Sequence, residues 1–263
     1  MATYLDRILA AHRARANADR RDTTDLYEQA RSADPARPFA AGLRTGNGVS
    51  VIAEVKRASP SKGPLAPDLD PAALASAYER GGAAAVSVLT DSEFFTGSPE
   101  DLHQARAAVE LPVLRKDFTV AAADVLDARI MGADALLLIA AALSSSELAE
   151  FLAVAKSVGL DALVEVHDEE EAGLALEAGA TLVGVNQRDL VTFEVDTRRA
   201  ARVAAVLPSG VVRVAESGIT SAEDIKPLAD AGFDAVLVGE SLVRSADPEA
   251  AVRALRAPTK VAH

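Results

Sequence analysis

The residues best able to do chemistry are five charged side chains, each placed at the end of a short apolar run. Glu54-Val55-Lys56 closes one run, Leu114-Arg115-Lys116-Asp117 a second, Leu163-Val164-Glu165 a third and Glu216-Ser217-Gly218 a fourth. A spacing of two puts Glu54 and Lys56 on one face of an extended chain. Lysines and carboxylates gathered in one place can move protons, because each tunes the charge state of the other. Charges mid-strand would be buried at high cost, whereas at the C-terminal ends of parallel strands they face a site. These groups therefore need a scaffold that brings several strand ends together.

The chain supplies one. From residue 49 onward it alternates β-branched apolar runs with Ala-, Leu- and Glu-rich segments of helical spacing. The predicted strands are Val49–Val55, Ala85–Thr90, Val113–Lys116, Ala135–Ile139, Ala162–Val166, Leu182–Asn186, Val211–Ala215 and Ala235–Val238. Their near-continuous apolar character suits parallel strands covered by helices. Ser144 and Asp168 are good N-caps for two of the helices between them. Gly82, Gly132, Gly179 and Gly232 each sit before an even-numbered strand, about 50 residues apart, where a left-handed residue would end the preceding helix. Eight strand–helix units fit a closed (βα)8 TIM barrel, an α/β fold, better than an open sheet.

In such a barrel, alternate strands contribute to one layer, so strands one, three, five and seven would place Lys56, Lys116, Glu165 and Glu216 on a single polar floor. Taken singly, each could be a surface ion pair; all four on odd strands make that reading improbable. Strand six ends in Asn186-Gln187-Arg188. Ser217-Gly218 after strand seven and Gly239-Glu240-Ser241 after strand eight occupy the positions where this fold commonly binds phosphate. Glycine allows close approach of backbone N–H groups; as plain turns the same glycines would need no ligand. The carboxylate of Glu240 would repel phosphate, so a backbone role is expected of it. The loop Arg57–Pro64 is basic and rich in turn formers, which suits a lid over the site or a solvated connector.

Residues 1–48 read as a helical extension, with Leu5, Ile8 and Leu9 at helical spacing and a second helix at Thr23–Ser32, packed on the barrel's bottom or flank. Residues 49–256 form the barrel, and 257–263 read as a flexible tail. A net charge of −12 opposes broad attraction to nucleic acid or anionic lipid, so an anionic substrate would need a local positive focus. No long apolar run predicts a membrane span, the N-terminus has no secretion-signal pattern, and cysteine is absent. A cytoplasmic protein without membrane or nucleic-acid partners is the expectation, as a monomer or a weak homodimer. Gly46-Asn47-Gly48 precedes a strand and is no dinucleotide fingerprint. His12, His103, His167 and His263 show no metal-ligand spacing and are expected on helix surfaces or in loops.

Several segments resemble the indole-3-glycerol phosphate synthases of tryptophan biosynthesis. Glu54-Val55-Lys56-Arg57-Ala58-Ser59-Pro60-Ser61-Lys62-Gly63 resembles that family's signature, and Leu114-Arg115-Lys116-Asp117-Phe118, Val164-Glu165-Val166-His167, Gly184-Val185-Asn186-Gln187-Arg188-Asp189-Leu190, Ala215-Glu216-Ser217-Gly218-Ile219 and Val238-Gly239-Glu240-Ser241-Leu242 continue it in order. Gln187 stands where the family commonly has asparagine. The resemblance implies a small phosphorylated substrate, 1-(2-carboxyphenylamino)-1-deoxyribulose 5-phosphate, closed to an indole with loss of carbon dioxide and water, and needs no cofactor or metal. It implies Lys116 as general acid, Lys56 as partner of the substrate carboxylate and Glu165 as a base, with Glu54 and Glu216 keeping the lysines charged. Asn186 and Arg188 would orient the anthranilate end, Phe95, Phe118 and Leu137 would wall the ring, and Ser59, Ser217, Gly218, Gly239 and Glu240 would hold phosphate. The rival readings are another phosphate-binding barrel, such as a phosphoribosylanthranilate isomerase, and a catalytically silent barrel serving as a scaffold.

Overall fold

The computed structural model describes residues 3–46, 48–60, 62–189 and 191–256. Eight parallel strands close into a barrel: β1 (Ser50–Val55), β2 (Ala85–Leu89), β3 (Val113–Lys116), β4 (Ala135–Ile139), β5 (Asp161–Val166), β6 (Leu182–Asn186), β7 (Val212–Glu216) and β8 (Ala235–Val238). Each pairs with its chain neighbours, and β8 returns to β1 through Ser50 opposite Ala235. The predicted (βα)8 barrel is thus the observed fold, with strand limits within a residue of those read from sequence. A two-stranded ribbon, Ala58–Ser59 with Gly63–Pro64, stands in the loop after β1.

Each strand faces two different environments. Odd-numbered steps such as Val51, Ala53 and Val55 pack outward under the helices. Ile52, Leu114, Leu137, Leu163, Leu182, Val214 and Leu237 fill the barrel interior. Both surfaces are therefore apolar, which is why the strands read as unbroken hydrophobic runs. Helices α4 (Pro71–Gly81), α6 (Pro99–Ala107), α7 (Ala122–Ile130), α8 (Ser145–Ser157), α9 (Glu169–Glu177), α10 (Arg199–Ala204), α11 (Ala222–Asp230) and α13 (Pro248–Leu255) join the outer ring, with short α5 (Ser92–Phe95) and α12 (Glu240–Val243) at loop ends. Ser144 and Asp168 do cap α8 and α9, accepting from the amides of Glu147 and Glu171. Gly82, Gly132, Gly179 and Gly232 have φ of 83–94°, the left-handed helix ends that their positions predict.

The N-terminal extension splits into three elements: α1 (Tyr4–Ala18), α2 (Thr23–Ser32) and α3 (Phe39–Gly42). α2 lies on the flank against α7, where Arg21 bonds both carboxylate oxygens of Asp127. At the bottom, Phe39 and Leu43 plug the barrel, fully buried against its interior cluster. α1 departs from the expected bottom or flank. It crosses the opposite, C-terminal end, where Tyr4, Leu5 and Ile8 join the wall of the central cavity. A buried bond from His12 Nε2 to Asp91, 2.9 Å, and an ion pair from Arg13 to Glu147, 2.8 Å, fasten it there. Its apolar stripe is satisfied as well by the mouth of the barrel as by its base, so periodicity alone does not distinguish them. The predicted tail, 257–263, lies outside the described residues.

Candidate active site

The inward face of each odd strand carries an apolar residue low in the barrel and an ionised one at its top. β1 turns Ile52 inward, then Glu54 and Lys56; β3 turns Leu114, then Lys116; β5 Leu163, then Glu165; β7 Val214, then Glu216. The pleat of two residues does this without any loop having to fold specially. All five charged groups line one cavity of about 540 Å³ at the C-terminal end, within the usual range for a small-molecule site.

Lys116 is the centre of the cluster. Its Nζ lies 3.0 Å from Glu165 Oε2 and 2.9 Å from Glu216 Oε2. Burial acts to lower its pKa, but Glu165, Glu216 and Glu54 outweigh that and hold it above the ordinary lysine range. The two carboxylates diverge. Burial also acts to raise Glu165, yet Lys116, His167 and a hydrogen bond from Asn186 Nδ2 (3.1 Å) hold it down to about 2. Glu216 is pushed up to about 7 by burial, with repulsion from Glu165 added and Lys116 only partly offsetting it. Its second oxygen, Oε1, has no hydrogen-bond partner among the described residues. Carboxylates driven apart in this way mark a site where protons move. Lys56 pairs separately with Glu54 at 2.5 Å, and the Ser87 hydroxyl reaches the other Glu54 oxygen at 3.5 Å.

Two glycines make room for these carboxylates. Gly184 on β6 lies opposite Glu165 in register, and a Cβ there would collide with Glu216 Oε1. A Cβ on Gly239 would strike Glu54 Oε1 and crowd Lys56 Nζ. Asn186, at the end of β6, is held on three sides: its amide donates to Glu165, while its carbonyl oxygen accepts from the Arg188 amide (3.0 Å) and the Ser217 hydroxyl (2.8 Å).

The wall divides by chemistry. Phe95, Phe118, Leu137 and Ile139, with Leu5 and Ile8 from α1, make an apolar side, and the Phe95 and Phe118 rings stand 6.1 Å apart. Across the cavity stand Ser59, Ser217, Gly218, Gly239, Glu240 and Ser241. Ser217 holds a left-handed φ of 68°, a strained conformation for a residue with a side chain. The Ser241 hydroxyl is buried without a partner among the described residues. Arg188 also faces the cavity, while its guanidinium donates to the Phe193 carbonyl at 2.9 Å. Every residue expected from sequence to act on, wall or hold the substrate therefore borders this one cavity.

Two further cations enter, Lys62 from the basic loop read as a lid or connector and Arg244 unannounced. Lys62 and Arg244 line the cavity and add positive charge beside the serine and glycine loops. Arg244 Nε is 3.7 Å from Glu240 Oε1, which draws that carboxylate toward the guanidinium. Arg57, by contrast, turns outward and binds Asp101 at 2.9 Å and the carbonyls of Pro67 and Leu69. In the loop after β1, Ser59, Pro60 and Lys62 face the cavity; Ser61 lies outside the described residues. Gln187 donates to the Ser217 carbonyl at 2.8 Å and so supports the β7 loop from below. His12 is buried on α1, contrary to the helix-surface placement expected of it, whereas His167 lies in the loop after β5, one of the two places expected, with its ring mostly covered. His167 stands two residues after Glu165, on the same side of the chain, and its Nε2 comes to 3.6 Å from Glu165 Oε1. His103 is exposed on α6 as expected, and His263 is outside the described residues. Among the described residues His12, Asp91 and Asp117 form the single group close enough to suggest a metal site, but Arg15 and Arg115 already pair with its carboxylates. No described helix is long and apolar enough to cross a membrane.

Comparison with known proteins settles which family built this cavity. The family model for indole-3-glycerol phosphate synthase matches residues 5–255. The chain belongs to that family. Indole-3-glycerol phosphate synthase 2 of Streptomyces coelicolor is 54% identical over 235 residues, covering 89% of this chain and 91% of its own. The indole-3-glycerol phosphate synthase of Mycobacterium ulcerans is 53% identical over 253 residues, covering 95% and 93%. Among solved structures, a thiamine phosphate pyrophosphorylase from Pyrococcus furiosus superposes with a TM-score of 0.59 at 17% identity, over 80% of this chain and 94% of that one. That likeness concerns the barrel alone.

Proposed function

We propose that this chain is an indole-3-glycerol phosphate synthase, closing 1-(2-carboxyphenylamino)-1-deoxyribulose 5-phosphate to the indole with loss of carbon dioxide and water. The observation that carries this reading is Lys116, buried in a cavity between two carboxylates of unequal proton affinity, with an apolar wall on one side and an unpartnered serine hydroxyl among glycine loops on the other. A substrate with an aromatic ring at one end and a phosphate at the other fits that polarity.

Ring closure joins an aromatic carbon to the ketone carbon, and negative charge develops on the ketone oxygen. Lys116 donates the proton. An alkoxide is far more basic than an amine, so donation is downhill even from a lysine held charged; a positioned acid of this kind contributes roughly 10²–10⁴-fold. Lys56, beside the mouth, pairs with the substrate carboxylate and holds the ring edge toward the ketone until carbon dioxide departs. Glu165, ionised at neutral pH, takes the proton lost from the carbon beside nitrogen when water leaves. Glu54 and Glu216 keep the lysines in their charged forms. Asn186 fixes Glu165, and Arg188 faces the anthranilate end. Phe95, Phe118 and Leu137 pack on the ring. Phosphate is held by Ser59, Ser217 and the backbone at Gly218, Gly239 and Glu240, to which Ser241, Lys62 and Arg244 are added.

The test is to supply the carboxyphenylamino-deoxyribulose phosphate to purified protein, with no metal or nucleotide added, and follow indole fluorescence. Product should appear, and inorganic phosphate should compete with substrate. A well-folded preparation that stays dark removes the assignment; turnover unaffected by phosphate removes the phosphate site.

A further inference from the structure

The proposed reaction has a proton deficit. The substrate enters as a carboxylate and leaves as neutral carbon dioxide, the bonding electrons returning to the ring. One proton is needed at the ketone oxygen during closure and another at the hydroxyl that departs as water. A single proton comes back, from the carbon beside nitrogen. Each turnover therefore consumes one proton, at a time when substrate fills the mouth of the cavity.

A residue beside Glu165 is built to supply it. His167, just past β5, presents its two ring nitrogens to two carboxylates. Nδ1 lies 3.0 Å from Glu171 Oε2, which also accepts from the His167 amide at 2.7 Å. Nε2 is buried without a hydrogen-bond partner among the described residues and lies 3.6 Å from Glu165 Oε1. Carboxylates only accept, so Nδ1 must carry a hydrogen toward Glu171. A neutral ring would then aim its Nε2 lone pair at an anion, whereas an imidazolium aims an N–H at it. Among the described residues the other charged group acting on this ring is Arg199 of α10, whose guanidinium donates to the Asn186 backbone carbonyl at 3.1 Å. Arg199 and burial oppose the charged ring, but Glu171 and Glu165 outweigh them and raise the His167 pKa. Glu171 is partly exposed while Glu165 is almost wholly buried, so the pair spans from surface to site.

We propose that His167 is a proton store for the site: as imidazolium it passes its Nε2 proton to Glu165, from which Lys116, 3.0 Å away on the other oxygen, is recharged. The ring is left neutral with Nδ1–H still on Glu171, and Nε2 regains a proton from water once product leaves. His167 touches no substrate; it acts through Glu165. The inference rests on the reading of Glu165 as the base, and the two can fail separately.

The experiment is single-turnover indole formation by His167→Ala in a buffer free of imidazole. The rate should fall about tenfold, less than the loss of a direct proton donor, with substrate affinity unchanged. Added imidazole should restore it. Pyrazole, of the same shape but unable to hold a proton at neutral pH, should not. Restoration by both, by neither, or an unchanged rate overturns the proposal. Glu171→Gln keeps the histidine and removes one of the charges that raise its pKa, so its rate should fall away at a lower pH than that of the unmodified chain; coincident pH profiles count equally against it. If Glu165→Gln retains full activity, the base assignment fails instead.

Discussion

The two ends of the barrel both bury carboxylates, and they treat them in opposite ways. At the N-terminal end Asp134, 1% exposed, accepts from the amides of Arg37 and Val113, each at 2.8 Å, and from the Arg106 guanidinium at 3.0 Å. Asp161 accepts from the Ala40 amide, and Asp234 from the Arg213 amide and the Arg44 guanidinium. These aspartates clamp the extension and the helix–strand turns under the plug of Phe39 and Leu43. At the C-terminal end Glu165 and Glu216 share one ammonium, Glu216 leaves an oxygen unpartnered, and their proton affinities diverge. Asp134, with donors on both oxygens, holds structure, because little is left to exchange. Under-saturated carboxylates keep free energy in reserve for a ligand. Buried charge is thus structural at one end and chemical at the other, in agreement with the division of labour expected of this fold.

That contrast can be broken from either side. The largest effect in free energy should come from Asp134→Ala, which orphans two backbone amides and Arg106 at once. Stability to urea should fall by about 3 kcal/mol, while turnover of the folded fraction at low temperature stays the same. Lys116→Met is the mirror case. Indole formation should drop by about a hundredfold or more, some 2.7 kcal/mol of barrel-top chemistry, with the far-ultraviolet dichroism unchanged. Retained turnover would remove Lys116 from the acid role. Gly184→Ala comes next, since its Cβ would push Glu216 off Lys116. A loss of about tenfold in kcat, near 1.4 kcal/mol, with KM little altered is expected, because the displaced group faces the reacting centre and not the phosphate.

Much of the C-terminal end is legible in sequence because a pleat is local. Two-residue spacing carries Glu54, Lys56, Lys116, Glu165 and Glu216 to the inner face as soon as the strands are drawn, and closure brings the ends together. His167 follows the same rule: it lies in the loop expected of it, but two residues past Glu165 it also comes beside that carboxylate. The N-terminal end is less readable. Nothing in Arg37, Ala40 or Arg44 announces an aspartate partner, since those pairs join residues 97, 121 and 190 positions apart. The position of α1 is lost for the same reason. His12 meets Asp91 across 79 positions, and an amphipathic stripe says that one face is covered without saying by what. Lys62 was legible only as part of the basic loop after β1, whereas Arg244 was hidden by its distance from any strand end, although it follows a short helix that the fold delivers to the cavity.

The finest distinction between the two ends is their response to pH. Glu216 has a folded-state pKa of about 7, above the unfolded carboxylate value of 4.5, so between these limits the folded state holds a proton that the unfolded state has released. Stability must then fall as pH rises from about 4.5 through 7, and the loss is complete above that. His167 acts in the same sense: its raised pKa gives stability that is present below 6.5 and lost as pH climbs through the folded value. Glu165, held down to about 2, contributes in the opposite direction, but its gain is lost only on acidification from 4.5 toward 2. The midpoint of thermal unfolding should therefore slope downward between pH 5 and 7.5. Glu216→Gln, which keeps the shape and removes the titration, should flatten that slope, while Asp134→Asn should lower the whole curve and leave the slope in place. A slope that survives in Glu216→Gln would place the titrating group elsewhere and return Glu216 to the saturated class found at the other end.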